Sequence, residues 1–78
     1  MACSVLRMQI HGPALRAIRE AKGLTGTEIA KRLEVTQGQV SNWESSRRNP
    51  TMANLLALAH LLAVPVAAIT IPETVAAA

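Results

Sequence analysis

The chain has 78 residues, half of them hydrophobic, which suits one small folded domain and excludes a disordered chain. There is one Trp and no Phe or Tyr, so the core must be aliphatic and Ala-rich, a composition that favours helices over sheet. The formal charge is +3 with no Asp, which suits an anionic partner without requiring one.

The first twelve residues read as an arm or a short strand. "LRMQIH" alternates, with Leu6, Met8 and Ile10 on one side and Arg7, Gln9 and His11 on the other. Its apolar run is too short for a secretory signal. The lone Cys3 allows no internal disulfide and points to a reducing, cytoplasmic compartment.

The domain proper is expected over residues 13–71. A first helix begins at Pro13, places Leu15 and Ile18 on one face, and is stopped by Gly23. A second follows Thr25, with Glu28 three residues on completing a capping box, and carries Ile29, Ala30 and Leu33 as its apolar stripe. A third opens at Thr36 and buries Val40 and Trp43. "SSRRNP" is a basic loop closed by Pro50. A fourth helix opens at Thr51, with Leu55, Leu58, Ala59 and Leu62 at core spacing. "VPVAAI" gives a last short turn, and residues 72–78 read as a flexible tail.

Thr51 to Pro72 contains no charged residue, and its mean hydropathy raises the question of a membrane span. Asn54, His60 and Pro65 stand against it, since Pro65 would break a helix at mid-depth. A span would also strip the domain of its fourth helix. No membrane association is expected.

The second and third helices are short and separated only by residues 33–36, which is a helix-turn-helix layout. "LRAIREAKGLT", "TEIAKRLEVTQGQVSNWE", "RRNPT" and "NLLALAHLLAVPV" together resemble the lambda-repressor-like, Cro-type (XRE-type) helix-turn-helix family, from Ala14 to Ile69. The resemblance implies an all-α domain of four to five helices. It implies a regulator, a repressor or Cro-like protein, that binds double-stranded DNA in the cytoplasm, at the nucleoid. Two residues depart from the family pattern. Glu34 stands where the family often has a left-handed Gly, and Ser46 replaces a frequent Gly after the third helix.

On a helical wheel with Val40 inward, Gly38, Ser41 and Asn42 face outward, flanked by Gln37 and Gln39. An ordinary solvated helix would carry Lys and Glu there. Amides instead suit base edges, because Gln or Asn can pair with adenine in two bonds. These five residues are the expected base-contacting set. Gly38 offers no side chain, and lets the backbone approach the groove or is merely tolerated.

The resemblance places Arg47 and Arg48 beside the sugar–phosphate backbone, where forked guanidinium donors suit phosphate. Gly26, Thr27, Thr36, Asn49 and Thr51 complete the expected phosphate set. Gly26 stands where the family often has a Gln that touches phosphate, so only its backbone N–H remains for that contact. Arg19 and Glu44 match a structural salt bridge between the first and third helices.

No enzyme is expected: the sequence has no nucleophile with a nearby base and no paired carboxylates. His11, His60 and Cys3 lack metal-ligand spacing, so neither metal nor cofactor is expected. A different reading is a protein-interaction module, such as an antitoxin or small inhibitor. It would use the apolar outer arc of the fourth helix, Ala53, Ala57 and His60 flanked by Leu56 and Leu61. A homodimer would cover that arc equally well. Finally, the chain ends are expected to pair in a ladder between residues 6–10 and 68–71, within one chain or between two, with Leu6, Met8 and Ile10 toward apolar surface.

Overall fold

The computed structural model describes the backbone of residues 4–76 and the side chains of residues 9–71. In chain order it contains β1 (Ser4–Ile10), α1 (Gly12–Ala21), α2 (Gly26–Leu33), α3 (Gln37–Glu44) and α4 (Met52–Leu62). A 3-10 turn at Val66–Ala68 and β2 (Thr70–Ala76) follow.

Three of the four helices start at the threonines read from the sequence. Thr25, Thr36 and Thr51 each sit in extended backbone and accept a hydrogen bond from the N–H three residues on. α1 starts at Gly12, one residue before the expected Pro13, because His11 Nδ1 accepts from the Ala14 N–H at 2.9 Å.

The helix ends share one device. Gly23, Glu34, Ser46 and Ala63 all have positive φ. The next residue in each case donates its N–H to the carbonyl five back: Leu24 to Arg19, Val35 to Ala30, Arg47 to Asn42 and Val64 to Ala59. Thus Glu34 holds the left-handed conformation that a Gly usually supplies, at φ 58° and ψ 43°.

The core is aliphatic. Leu15, Ile29, Val40, Leu58, Leu62 and Ile69 are fully buried, and Trp43 closes the third helix against them. Ala30 is buried in the same cluster.

The chain ends do pair, in one antiparallel ladder whose register runs from Ser4 opposite Ala76 to Ile10 opposite Thr70. It differs from expectation on the C-terminal side. Ala68 closes the 3-10 turn, and the strand begins at Thr70 and runs through Pro72 to Ala76. Residues 72–76, expected as part of a tail, are therefore ladder, while residues 77–78 lie outside the described residues. Pro72 is accommodated because its nitrogen faces away from β1, so no ladder bond is lost. Ile10 is buried in the core as expected, whereas the side chains of Leu6 and Met8 lie outside those described.

Candidate nucleic-acid interface

α3 presents one uncharged polar surface. Gln37, Gly38, Gln39 and Ser41 are exposed, Asn42 is half-buried, and Val40 and Trp43 point into the core. The five residues expected to touch bases therefore share one helix, and four of them are open to solvent.

They are not equivalent chemically. Gln39 closes a capping box: its Oε1 accepts from the Thr36 N–H at 2.9 Å, while its own N–H donates to Thr36 Oγ1 at 3.1 Å. Thr36 Oγ1 also lies 3.3 Å from that oxygen, so the Gln39 carbonyl is turned wholly to Thr36 and its amide NH₂ is the group left to offer. The T-x-x-Q spacing carried this signal in the sequence. Gln37 has no such commitment. Asn42 lines a shallow groove of about 210 Å³ with Arg48, Thr51 and Asn54, between α3 and the start of α4. A Cβ added at Gly38 would meet only Thr36 Oγ1, at 3.8 Å, so the fold itself has room for a side chain there.

α3 is capped locally at its start and tied to α1 at its end. At its C-terminal end, Arg19 Nε donates to Glu44 Oε2 at 2.6 Å and Nη2 to Oε1 at 3.1 Å. Arg19 Nη1 adds a bond to the Leu24 carbonyl at 2.8 Å. Both side chains of the pair are about 15% exposed, so this forked bond lies largely out of water. The hydrogen bond to Glu44, and then the charges of Glu44 and Glu20, raise the Arg19 pKa above its ordinary value against the opposing pull of burial. The expected structural pairing of these residues is present.

Gly12 was not singled out in the sequence, yet it fixes the same junction. A Cβ there would stand 2.2 Å from the Glu44 carbonyl oxygen. The Gly12 N–H donates to Ser46 Oγ at 3.1 Å. No local signal marks it, because the crowding comes from a segment more than thirty positions away.

The loop after α3 is folded rather than slack. The N–H groups of Arg47 and Arg48 both donate to the Asn42 carbonyl, at 2.9 and 3.3 Å. Their side chains are exposed and form no ion pair among the described residues. Asn49 Oδ1 accepts from the Ile10 N–H at 2.9 Å, tying the loop to the base of the ladder. Of the expected phosphate set, Asn49 keeps its amide NH₂ free to donate. Thr36 and Thr51 spend their hydroxyl oxygens on caps.

Gly26 and Thr27 open α2. Gly26 lines a second groove, of about 230 Å³, with Arg16, Gln37 and Ser41. A Cβ on Gly26 would meet only Val40 Cγ1, at 3.9 Å. Among the described residues no cluster of potential metal ligands occurs, and no helix is long and apolar enough to cross a membrane.

This arrangement is a helix pair, α2 and α3, that displays the polar surface of its second member. The helix-turn-helix family model matches residues 15–69, and the chain belongs to that family. It is 32% identical over 63 residues to the immunity repressor protein of Bacillus phage phi105, spanning 81% of this chain and 44% of that protein. The chain thus corresponds to less than half the length of that relative. Two solved structures superpose well. The restriction-modification controller protein C.AhdI from Aeromonas hydrophila has a TM-score of 0.68 at 31% identity, over 74% of this chain and 88% of that one. The biofilm master regulator SinR, solved in complex with DNA, has a TM-score of 0.66 at 25% identity, over 74% of this chain and 94% of that one. Residues 15–69 thus carry the fold shared by these helix-turn-helix regulators.

Proposed function

We propose that the protein is a sequence-specific repressor or Cro-like regulator that reads duplex DNA by inserting α3 into the major groove. One observation carries the reading: an exposed row of uncharged amide and hydroxyl groups on a helix capped at its start and pinned to α1 at its end, followed by two arginines with no ion pair among the described residues. Apart from Gln39, which closes the helix cap, these side chains form no bond within the fold among the described residues, and they match the donor and acceptor pattern of base edges. The SinR complex with DNA supports the partner class.

Within the site, Gln37 is the leading base reader, since its amide is free on both sides. Ser41 stands one turn further along the same exposed face. Asn42 contributes from the groove edge, and Gln39 can donate but not accept. Gly38 lets the backbone close on the groove. Arg47 and Arg48 neutralise phosphates, assisted by the Asn49 amide and the backbone N–H groups near Gly26, Thr27, Thr36 and Thr51. Arg19 and Glu44 hold α3 in place. The protein acts without catalysis or cofactor, in the cytoplasm at the nucleoid, and as a homodimer on a palindromic site.

Selection of bound duplexes from a random pool tests this. On the selected site, Gln37→Ala should cost about 1–3 kcal/mol, with little loss on random DNA. Arg47→Ala and Arg48→Ala should weaken binding to all sequences, each reducing the salt slope by about 1. Equal losses on both kinds of DNA for Gln37→Ala would leave it a positioning residue. The alternative, an antitoxin or inhibitor module, is favoured by Met52 and Leu56 on α4, 61% and 53% exposed. A pool from which no duplex is enriched would transfer the assignment to it.

A further inference from the structure

The terminal ladder has two free edges, and they are not alike. In an antiparallel pair, residues alternate between exchanging both backbone bonds and turning both groups outward. The His11 N–H donates to the Ile69 carbonyl at 2.8 Å across the base of the ladder. The register then turns the backbone groups of Ile10, Met8, Leu6 and Ser4 outward on β1, and those of Thr70, Pro72, Thr74 and Ala76 outward on β2. Two facts agree with this phase. The Ile10 N–H leaves the ladder to reach Asn49 Oδ1. Pro72, which has no N–H, occupies an outward position.

The β2 edge is therefore blunted in mid-strand by Pro72. The β1 edge is open: beyond Ile10, residues 8, 6 and 4 each turn an N–H and a carbonyl outward. A two-stranded ribbon is marginal in water and gains from a third strand. The open groups are also self-complementary. A second β1, run antiparallel, brings Leu6 opposite Leu6 and Ser4 opposite Met8, each pair exchanging both bonds. Arg7 then lies opposite Val5 of the copy rather than another Arg7, so like charges do not meet.

We infer that two copies of this chain join through the outer edges of β1, around a twofold axis at Leu6, into one four-stranded sheet ordered β2–β1–β1–β2. The pairing follows from the ladder alone, and its use rests on the DNA-binding reading above. From Leu6 to His11 is five residues on each side of the axis, so the two helical bodies attach ~34 Å apart along the sheet at ~3.4 Å per residue. Successive major grooves on one face of B-form DNA are separated by about the same distance, 34–36 Å. The ribbon is thus a spacer of one helical turn.

The test is the mass in solution by light scattering across a concentration series, with duplex selection beside it. Leu6→Pro removes an outward N–H and no ladder bond, so it should give a monomer with the wild-type helical signal. Thr74→Pro makes the same change on the β2 edge and should stay a dimer. If Leu6→Pro fails to fold, a synthetic chain methylated on the Leu6 amide nitrogen makes the same removal without the ring. The selected duplex should contain two half-sites about 10 base pairs apart, centre to centre. A monomeric wild type at every concentration overturns the inference. So does a Leu6→Pro variant as dimeric as wild type, or a dimer that only Leu56→Glu dissociates, which would place the copy on α4. A single half-site overturns the spacer role. A dimer lost in Leu6→Pro but enriching no duplex leaves the strand pairing standing and overturns the DNA-binding reading instead.

Discussion

α3 and α4 are consecutive helices of one small domain, and their outer surfaces are opposites. α3 turns Gln37, Gly38, Gln39 and Ser41 outward and is tied to α1 at its C-terminal end by the Arg19–Glu44 pair. α4 turns Met52, Ala53, Leu56, Ala57 and His60 outward, and none of their side chains has a hydrogen-bonded or charged partner among the described residues. Neither surface is built for solubility, which would favour Lys and Glu on both. The difference lies in rigidity. Amides that must meet fixed donors and acceptors need a helix held in register, and the anchors of α3 supply that hold. An apolar surface that gains by burial alone tolerates looser placement. If this contrast is right, damage at the anchors of α3 should exceed anything done to the outer surface of α4.

The largest effect is expected at Gly12. A Cβ 2.2 Å from the Glu44 carbonyl cannot be relieved by a rotamer change, because both sides of the contact are backbone. Gly12→Ala should cost at least about 3 kcal/mol, at the upper end of overpacking effects. A urea melt measures it. A loss below about 1 kcal/mol would mean that α1 and α3 slide past one another easily, and the contrast with α4 would fail.

Next comes the forked pair. Arg19→Ala or Glu44→Ala should each cost about 1.5–3 kcal/mol, since a charge-assisted bond is lost from a mostly buried site. A double-mutant cycle should give a coupling of at least about 0.5 kcal/mol. Its pH dependence has a definite sign. The folded pKa of Arg19 is raised, so its contribution is fully present below the unfolded value and is lost only as pH rises through the folded one. The coupling should therefore be the same at pH 7 and at about pH 10, far below the arginine range. A coupling that disappears by pH 10 would show that Arg19 does not carry it.

These anchors mark where the sequence is legible and where it is not. Helix starts were readable because the capping residue and its target lie three positions apart, as with Thr25, Thr36 and Thr51. The Arg19–Glu44 pair came from family resemblance, since nothing local joins residues 25 positions apart. Helix ends were half hidden. All four use a left-handed residue, but only Gly23 announces it. The tail expected from residue 72 is strand as far as Ala76, because a proline whose nitrogen faces outward costs the ladder nothing. The wheel places Gly38 and Ser41 outward as found, whereas Asn42, expected outward, is half-buried at the groove edge. The split between free Gln37 and committed Gln39 follows from a capping box that the same pattern contained.

Gly38 compares the two outer surfaces directly. A methyl fits there without contact closer than 3.8 Å, so Gly38→Ala should stabilise the fold by about 1 kcal/mol through helix propensity. It should also weaken binding to the selected duplex, because the added methyl faces the groove. Leu56→Ala, the matching truncation on α4, should change stability by no more than about 0.5 kcal/mol and leave DNA affinity alone. Gly38→Ala with full affinity would mean that the glycine is merely tolerated. Thermal melts and binding isotherms on the same samples decide it.

A last comparison separates the ends of the same two helices. Ser46 follows α3 and Ala63 follows α4, both left-handed, at φ 60° and 55°. A non-glycine residue there is strained by about 1–2 kcal/mol, of which glycine's greater freedom in the unfolded chain returns part. Ala63 offers only a methyl, so Ala63→Gly should gain about 0.5–1 kcal/mol, a rise in Tm of a few degrees for a domain of this size. Ser46 does more than terminate its helix. Its Oγ accepts the N–H of buried Gly12 at 3.1 Å, and a glycine would leave that donor without a partner. An unsatisfied buried donor costs about 1–3 kcal/mol, which cancels or exceeds the relief of strain. Ser46→Gly should therefore give no gain, and should lower the melting temperature if the donor stays dry. Equal gains at both positions would show that the Ser46 bond contributes nothing, and that α3 is no better anchored at its end than α4.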